Sequence, residues 1–226
     1  MLINDLYSSL VSVQMDWKGI LLNPNYLRKD WIISWKNYGG LIVGDNVTIK
    51  TVLELGKNEQ YSFQLRDGSL LQLYYEFQSN GNVLENASLA FYKFNNVQEQ
   101  ASEDAEELAD EVIRMVGVTE YEQPAPWVRI DCCPQHKRGV IHSTIHMHGN
   151  IGPSVRIPVS GVPTPKQFIE ATIAWFYPEK YASMHLNADG DYVNLERVVI
   201  INQQKIPCFD DPNARRIVYL DMPKSG

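Results

Sequence analysis

The sequence has few cysteines and no long apolar run, and each shortage excludes a class of protein. Three cysteines among 226 residues cannot build a disulfide framework, and their odd number suits a reducing compartment, so we expect free thiols. No apolar segment approaches the ~20 residues that a membrane-spanning helix requires. The N-terminal residues also lack the basic start and cleavage site of a signal peptide. We therefore expect a cytoplasmic protein without membrane contact.

The chain carries an excess of acids, and this charge is concentrated in one segment. The formal net charge is −7, and residues 99–122 hold nine acids against one arginine. Within them, Ser102 as a cap and apolar residues at helical spacing predict a helix over 102–116 with an acidic outer face. Residues 127–166 instead hold five bases and a single acid, Asp131. Such local positive charge attracts a phosphate-bearing ligand, although it is far smaller than the basic face of a DNA-binding domain.

Hydrophobic periodicity predicts a mixture of helices and antiparallel strands. An amphipathic helix is expected over 4–15, and a second helix begins at Thr164 and ends before Pro178. Turn sequences at 67–68 and 79–82 indicate hairpins. The strand candidates of the first half are VTIKTVLEL (47–55), YSFQLR (61–66), SLLQLYYEFQ (69–78) and VLENASLAFYKF (83–94).

These elements predict an α+β fold, an antiparallel β-sheet meander with a few packed helices. A single domain over 1–226 is the simplest organisation, because no repeat, low-complexity stretch or flexible linker divides the chain. The alternative is a pair of lobes, 1–98 and 99–226, since the first half is rich in strands and the second is mixed.

Histidines are concentrated in one short stretch. Four of the five lie within thirteen residues: His136, His142, His146 and His148. We expect 127–133 and 139–148 to pair as a hairpin, with VRIPV at 155–159 as a third strand. Because side chains alternate along a strand, three of these histidines would share a face with Arg129 and Asp131.

Imidazole suits both proton transfer near neutral pH and coordination of borderline metals. His146 and His148 could therefore share one divalent metal, with Asp131 or His142 as a third ligand. Without a metal, one imidazole would act as base and another as acid, while Asp131 orients one of them and an arginine stabilises phosphate charge. The competing interpretation is structural, with the histidines hydrogen-bonded to a neighbouring helix. The predicted catalytic residues are Asp131, His142, His146, His148, Arg129 and Arg156, and the predicted metal ligands are His146, His148 and Asp131.

Several short motifs in the second half resemble a known family. They are RID at 129–131, IHSTIHMHG at 141–149, RIPV at 156–159 and TPKQFIEATIAWFYP at 164–178. Together they resemble the bacterial domain of unknown function 2290 family. The resemblance implies a bacterial source and no particular reaction, and it associates the protein with mobile-element or phage-defence loci.

Two functions follow as hypotheses. The first is a bacterial defence or toxin-type effector with phosphodiesterase or RNase-like activity, acting through the Asp/His cluster on RNA or another phosphate-bearing ligand. The second is a non-catalytic subunit of a defence or mobile-element system that binds a partner protein or RNA. A divalent metal is the one cofactor that the residues indicate.

Overall fold

One antiparallel sheet of nine strands organises the part of the chain that the computed structural model describes, which is 3–39, 46–94, 122–132, 145–150, 157–159 and 161–183. The strands are β1 Leu21–Leu22, β2 Tyr26–Lys29, β3 Ile32–Trp35, β4 Phe63–Leu65, β5 Leu70–Phe77, β6 Leu84–Tyr92, β7 Trp127–Cys132, β8 Ile145–Gly149 and β9 Ile157–Pro158. The helices are α1 Ile3–Asp16, α2 Ile49–Lys57, α3 Pro165–Phe176 and α4 Pro178–Ser183. The predicted α+β class is therefore confirmed.

The strand order along the sheet is β1-β4-β5-β6-β7-β8-β9, and every pairing is antiparallel. Two strands share one edge of β5: β4 pairs with its beginning, and β3 pairs near its end and also binds β2. From β4 to β8 the strands follow chain order, as in the predicted meander. The turns at 67–68 and 79–82 contain Gly68 and Gly81, whose φ angles of 82° and 68° favour glycine.

The main core lies between one face of the sheet and the helices α1 and α3. Alternate residues of β5 and β6 supply the apolar surface, including Leu73, Tyr75 and Phe91. α1 covers it with a buried row at helical spacing, and α3 adds Phe168 and Ile173. α3 begins at a capping box of Thr164 and Gln167 with proline in the first turn, which confirms the predicted helix start.

Helix α2, Ile49–Lys57, occupies most of the segment 47–55, so the strand predicted there is wrong. The Thr48 side chain accepts from the Thr51 backbone N–H, and the Thr51 hydroxyl accepts from the Thr48 N–H. This capping box starts the helix and satisfies its first donors. Apolar residues three apart, such as Val52 and Leu55, then pack on the second face of the sheet. The β-branched composition favoured a strand, but the caps and this one-sided burial outweigh it.

Two more differences concern β1–β3 and Cys132. The strands β1, β2 and β3 were not among the predicted strands; they are short, and two of them lie at sheet edges. Cys132 is buried on the apolar face of β7 and forms a disulfide, so the free thiol predicted at this position is wrong. The acidic helix predicted over 102–116 and the boundary between the alternative lobes lie outside the described residues. Among the described helices, none is long and apolar enough to cross a membrane.

The end of α3 is tied to the β4–β5 turn by a charged cluster. The Tyr177 hydroxyl donates to Asp67 Oδ2 at 2.7 Å and lies 2.9 Å from Ser69 Oγ. Lys93 pairs with the same carboxylate, and its Nζ lies 4.1 Å from the centre of the Tyr177 ring. Burial raises the pKa of Asp67, but the hydrogen bond and charge of Lys93, with the Tyr177 bond, outweigh burial and lower it.

We expect Phe168→Ala to lower the free energy of unfolding by ~3 to 5 kcal/mol, because its side chain is 1% exposed in the main core. The control is Trp175→Ala on the same helix, where the indole is 49% exposed and the loss should be far smaller. Urea denaturation of both variants measures the difference. Equal losses would show that α3 does not present Phe168 to the core.

Asp67→Asn should make the protein less sensitive to acid. Because its folded pKa is lowered, Asp67 stabilises the fold above the unfolded value of ~3.9, and this contribution is lost as pH falls through the folded pKa. Melting temperatures from pH 7 to pH 2.5 should show a gap between wild type and variant that closes below ~pH 4. Tyr177→Phe, which removes one donor and keeps the ring, should give a smaller gap. A gap that does not change with pH would contradict this account.

Candidate functional site

The second face of the sheet is polar beside the area that α2 covers. Alternation along β6, β7 and β8 sends Leu89, Ile130 and Met147 to the main core. The residues of opposite parity therefore reach the second face. They are Ser88, Arg129, Asp131, His146 and His148. The prediction that the arginine, the aspartate and the last two histidines share a face is confirmed.

Strand register determines which of these groups are neighbours. Asp131 on β7 lies opposite Ser88 on β6 and opposite His146 on β8, so the three form a row across the sheet. Arg129 lies opposite His148 in the next row. Since adjacent strands are ~4.8 Å apart, Asp131 is in reach of both histidines, one directly opposite and one diagonal.

The β7–β8 register is held where the pair ends. Asn150 accepts a hydrogen bond from the Trp127 N–H at 2.7 Å and donates to the Ala125 carbonyl at 3.0 Å. Gly149 lies opposite Val128, and a Cβ at this glycine would be 3.3 Å from the Trp127 carbonyl oxygen. A larger residue would crowd the partner strand. These local contacts keep the histidines opposite Arg129 and Asp131.

The carboxylate of Asp131 is the centre of the cluster. Its Oδ1 accepts a hydrogen bond from Ser88 Oγ at 2.8 Å, and its Oδ2 accepts one from Arg129 Nε at 2.8 Å. His148 Nε2 lies 3.3 Å from the same Oδ2. The rings of His146 and His148 meet edge to face, with 4.6 Å between their centres. One ligand atom from each of Asp131, His146 and His148 lies within 4.8 Å of the other two.

The cluster is well shielded from solvent. His146 and His148 are 3% and 6% exposed, whereas the Asp131 side chain retains 17%. Burial raises the pKa of Asp131, but His148, Arg129 and Ser88 outweigh burial and lower this pKa to about 2. The carboxylate is therefore ionised at neutral pH. Arg129 Cζ lies 5.7 Å from the centre of the Trp127 ring, a contact that helps to hold the guanidinium beside Asp131.

The sequence located most of this site but missed Ser88. Four predicted residues are brought together, namely Arg129, Asp131, His146 and His148. His142, Arg156 and the turn residue His136 lie outside the described residues. Parity within β6 could have placed Ser88 on the polar face, but only the β6–β7 pairing identifies the aspartate as its partner.

The polar surface continues from Ser88 onto β5. Tyr74 lies opposite Ser88, and its hydroxyl donates to Glu76 Oε2 at 3.0 Å. Asn86 donates to the same oxygen at 2.9 Å. Tyr38 stacks on the Tyr74 ring at 4.8 Å between centres. These contacts extend the face that carries the histidines, but they add no further imidazole or carboxylate within reach of Asp131 among the residues that the structure describes.

Comparison with known proteins identifies a family. The model for the family described as "Uncharacterized conserved protein (DUF2290)" matches residues 23–210, and the chain belongs to this family. The resemblance seen at 127–178 is thus confirmed and extends over most of the chain. No curated protein matches the chain, and no solved structure does.

Ser88→Ala should cost ~1.5 to 3 kcal/mol of unfolding free energy and raise the pKa of Asp131, because a buried carboxylate loses a charge-assisted donor. Urea denaturation and NMR titration of the carboxyl carbon measure the two effects. The control is Ser34→Ala, a buried serine whose hydroxyl donates to a neutral carbonyl at 3.2 Å. A loss no larger than that of the control, with the pKa unchanged, would contradict the role of Ser88.

Proposed function

We propose that this member of the DUF2290 family is an enzyme that cleaves phosphodiester bonds, in RNA or a related phosphate-bearing substrate. One observation carries the proposal: Asp131, His146 and His148 converge on one face of the sheet with their ligand atoms within 4.8 Å of one another. Two imidazoles beside an ionised carboxylate form a set of groups that catalytic sites use for general acid–base chemistry or for metal binding.

The charge around the cluster supports an anionic substrate. Arg129 donates to Asp131, so a guanidinium lies within the cluster itself. Such a group would stabilise the negative charge that develops on a phosphoryl group during cleavage. The surrounding segment, 127–166, holds five bases and one acid. His142 and Arg156 belong to this segment, and we propose them as further contributors.

The same three side chains would serve either of two mechanisms. In one, an imidazole removes a proton from the attacking oxygen, the second protonates the leaving oxygen, and Asp131 orients His148. In the other, Asp131, His146 and His148 would hold a divalent ion, which would supply Lewis-acid chemistry to the reacting oxygen when bound. For the cell, we propose the role of a cytoplasmic bacterial defence or toxin-type effector. That role is the one that the family resemblance implies.

A specific observation favours a second candidate function. His146 and His148 are almost fully buried, and the carboxylate beside them already has two donors at 2.8 Å. Buried polar groups with satisfied hydrogen bonds are common structural features. On this account the cluster stabilises the sheet, and the protein is a non-catalytic subunit that binds RNA or a partner protein.

Cleavage assays distinguish the two candidates. The purified protein is incubated with single-stranded RNA, duplex RNA, single-stranded DNA and bis-p-nitrophenyl phosphate, each with divalent ions or with EDTA. We expect cleavage of at least one substrate and a ~10²- to 10⁴-fold lower rate in His146→Gln and His148→Gln. The reason is that both rings belong to the reacting cluster.

His185→Ala serves as the control, because this histidine lies outside the cluster in sequence, and it should retain the wild-type rate. Circular dichroism and melting temperature establish that each variant is folded. Folded glutamine variants with full activity would contradict the proposal. Absence of cleavage by the wild type on every substrate would favour the binding subunit.

A further inference from the structure

We infer that Asp131, His146 and His148 form a binding site for one divalent metal ion of the zinc class. This metal site rests on the proposed function, because the ion is the cofactor through which the cluster would act on a phosphodiester. Metal binding can be measured without an activity assay. The metal site and the phosphodiesterase function can therefore be disproved independently.

Distances around the Asp131 carboxylate support metal ligation. The hydrogen bonds from Ser88 and Arg129 are both 2.8 Å, the length expected for donors to a carboxylate. His148 Nε2 lies farther away, 3.3 Å from Oδ2. Two ligands of a tetrahedral ion, each bound at ~2.0 to 2.2 Å, lie ~3.3 to 3.5 Å apart. The His148–Asp131 separation therefore matches that of two ligands on one ion, and it also allows the hydrogen bond from His148 that helps to lower the pKa of Asp131.

The identity of the donors indicates the kind of ion. Two imidazole nitrogens and one carboxylate oxygen are a ligand set of catalytic zinc sites, which leave a fourth position for water or substrate. Magnesium and calcium prefer sites composed of oxygen ligands. The three atoms lie within 4.8 Å of one another, so small side-chain adjustments would bring them to one ion.

Neighbouring side chains provide the outer contacts that such sites need. Ser88 donates to Oδ1 and so orients the carboxylate, as outer partners of metal ligands do. Arg129 acts in the opposite direction, because its positive charge lies 2.8 Å from Oδ2 and repels a cation. Each carboxylate oxygen has two lone pairs, so Oδ2 can accept from Arg129 and still bind a metal. We therefore expect moderate affinity that rises when this arginine is neutralised.

The burial of the two histidines favours metal binding over direct proton transfer between their rings and a substrate. His146 and His148 are 3% and 6% exposed, so a polymeric substrate has little access to their ring nitrogens. A single ion between the two rings requires far less space than a polymeric substrate. The buried rings would hold the ion, and the ion would supply Lewis-acid chemistry to a water or substrate oxygen.

The test uses the full chain, purified without an affinity tag, treated with EDTA and dialysed. Calorimetric titration with ZnCl₂ should give one ion per chain, MgCl₂ should give no measurable binding, and zinc should raise the melting temperature. Co²⁺ added in place of zinc should show the strong visible absorption of a four- or five-coordinate site. His148→Gln and Asp131→Asn should each weaken zinc binding ~10-fold or more, whereas His185→Ala should not.

Arg129→Gln is the most informative variant. Removal of the positive charge should tighten zinc binding several-fold, whereas damage to the structure of the site would weaken it. No zinc binding below ~100 μM in the folded wild type, or binding that His148→Gln leaves unchanged, would overturn the inference. One zinc per chain without cleavage of any phosphodiester supports the metal site and contradicts the proposed function. Cleavage that persists in EDTA and depends on His146 supports the function and overturns the metal site.

Discussion

The buried charge of Asp131 is the constraint on which the polar half of this structure depends. An ionised carboxylate is costly to bury unless donors surround it. Here Ser88 of β6 donates to Oδ1 and Arg129 of β7 donates to Oδ2, and His148 of β8 lies 3.3 Å from Oδ2. The charge is therefore compensated only when these three strands pair in the observed register. Removal of one partner would leave a charge with incomplete compensation, which links the chemistry of the site to the pairing of the sheet.

The two faces of the sheet have different physical roles. One face packs against α1 and α3 through large apolar side chains such as Tyr75, Phe91 and Phe168, and this burial supplies most of the hydrophobic stabilisation. Within the part of the chain that the structure describes, the other face has an apolar cluster where α2 packs. Beside α2 it carries the carboxylate, the guanidinium and both imidazoles. A rigid apolar layer beneath the cluster keeps its side chains in place, as a preorganised site requires.

The same geometry supports a catalytic and a structural interpretation, and the choice depends on one distance and on burial. Hydrogen bonds of 2.8 Å from Ser88 and Arg129 already satisfy the carboxylate, as in a structural network. His148 lies farther from the carboxylate, at 3.3 Å, and one ligand atom from each of Asp131, His146 and His148 lies within 4.8 Å of the other two. Two imidazoles and a carboxylate at that spacing also match the ligand set of a zinc site.

Local patterns in the sequence determined α1, α3, the strands β4 to β8, and the shared parity of Arg129, Asp131, His146 and His148, because side-chain alternation and helix caps act over a few residues. The tertiary structure decided the rest. The segment after Thr48 forms helix α2 although its composition is typical of a strand, because the apolar side of the helix is buried on the sheet. Ser88 meets Asp131 across 43 positions of the chain. Register and burial depend on residues that are distant in sequence, so no local pattern could specify them.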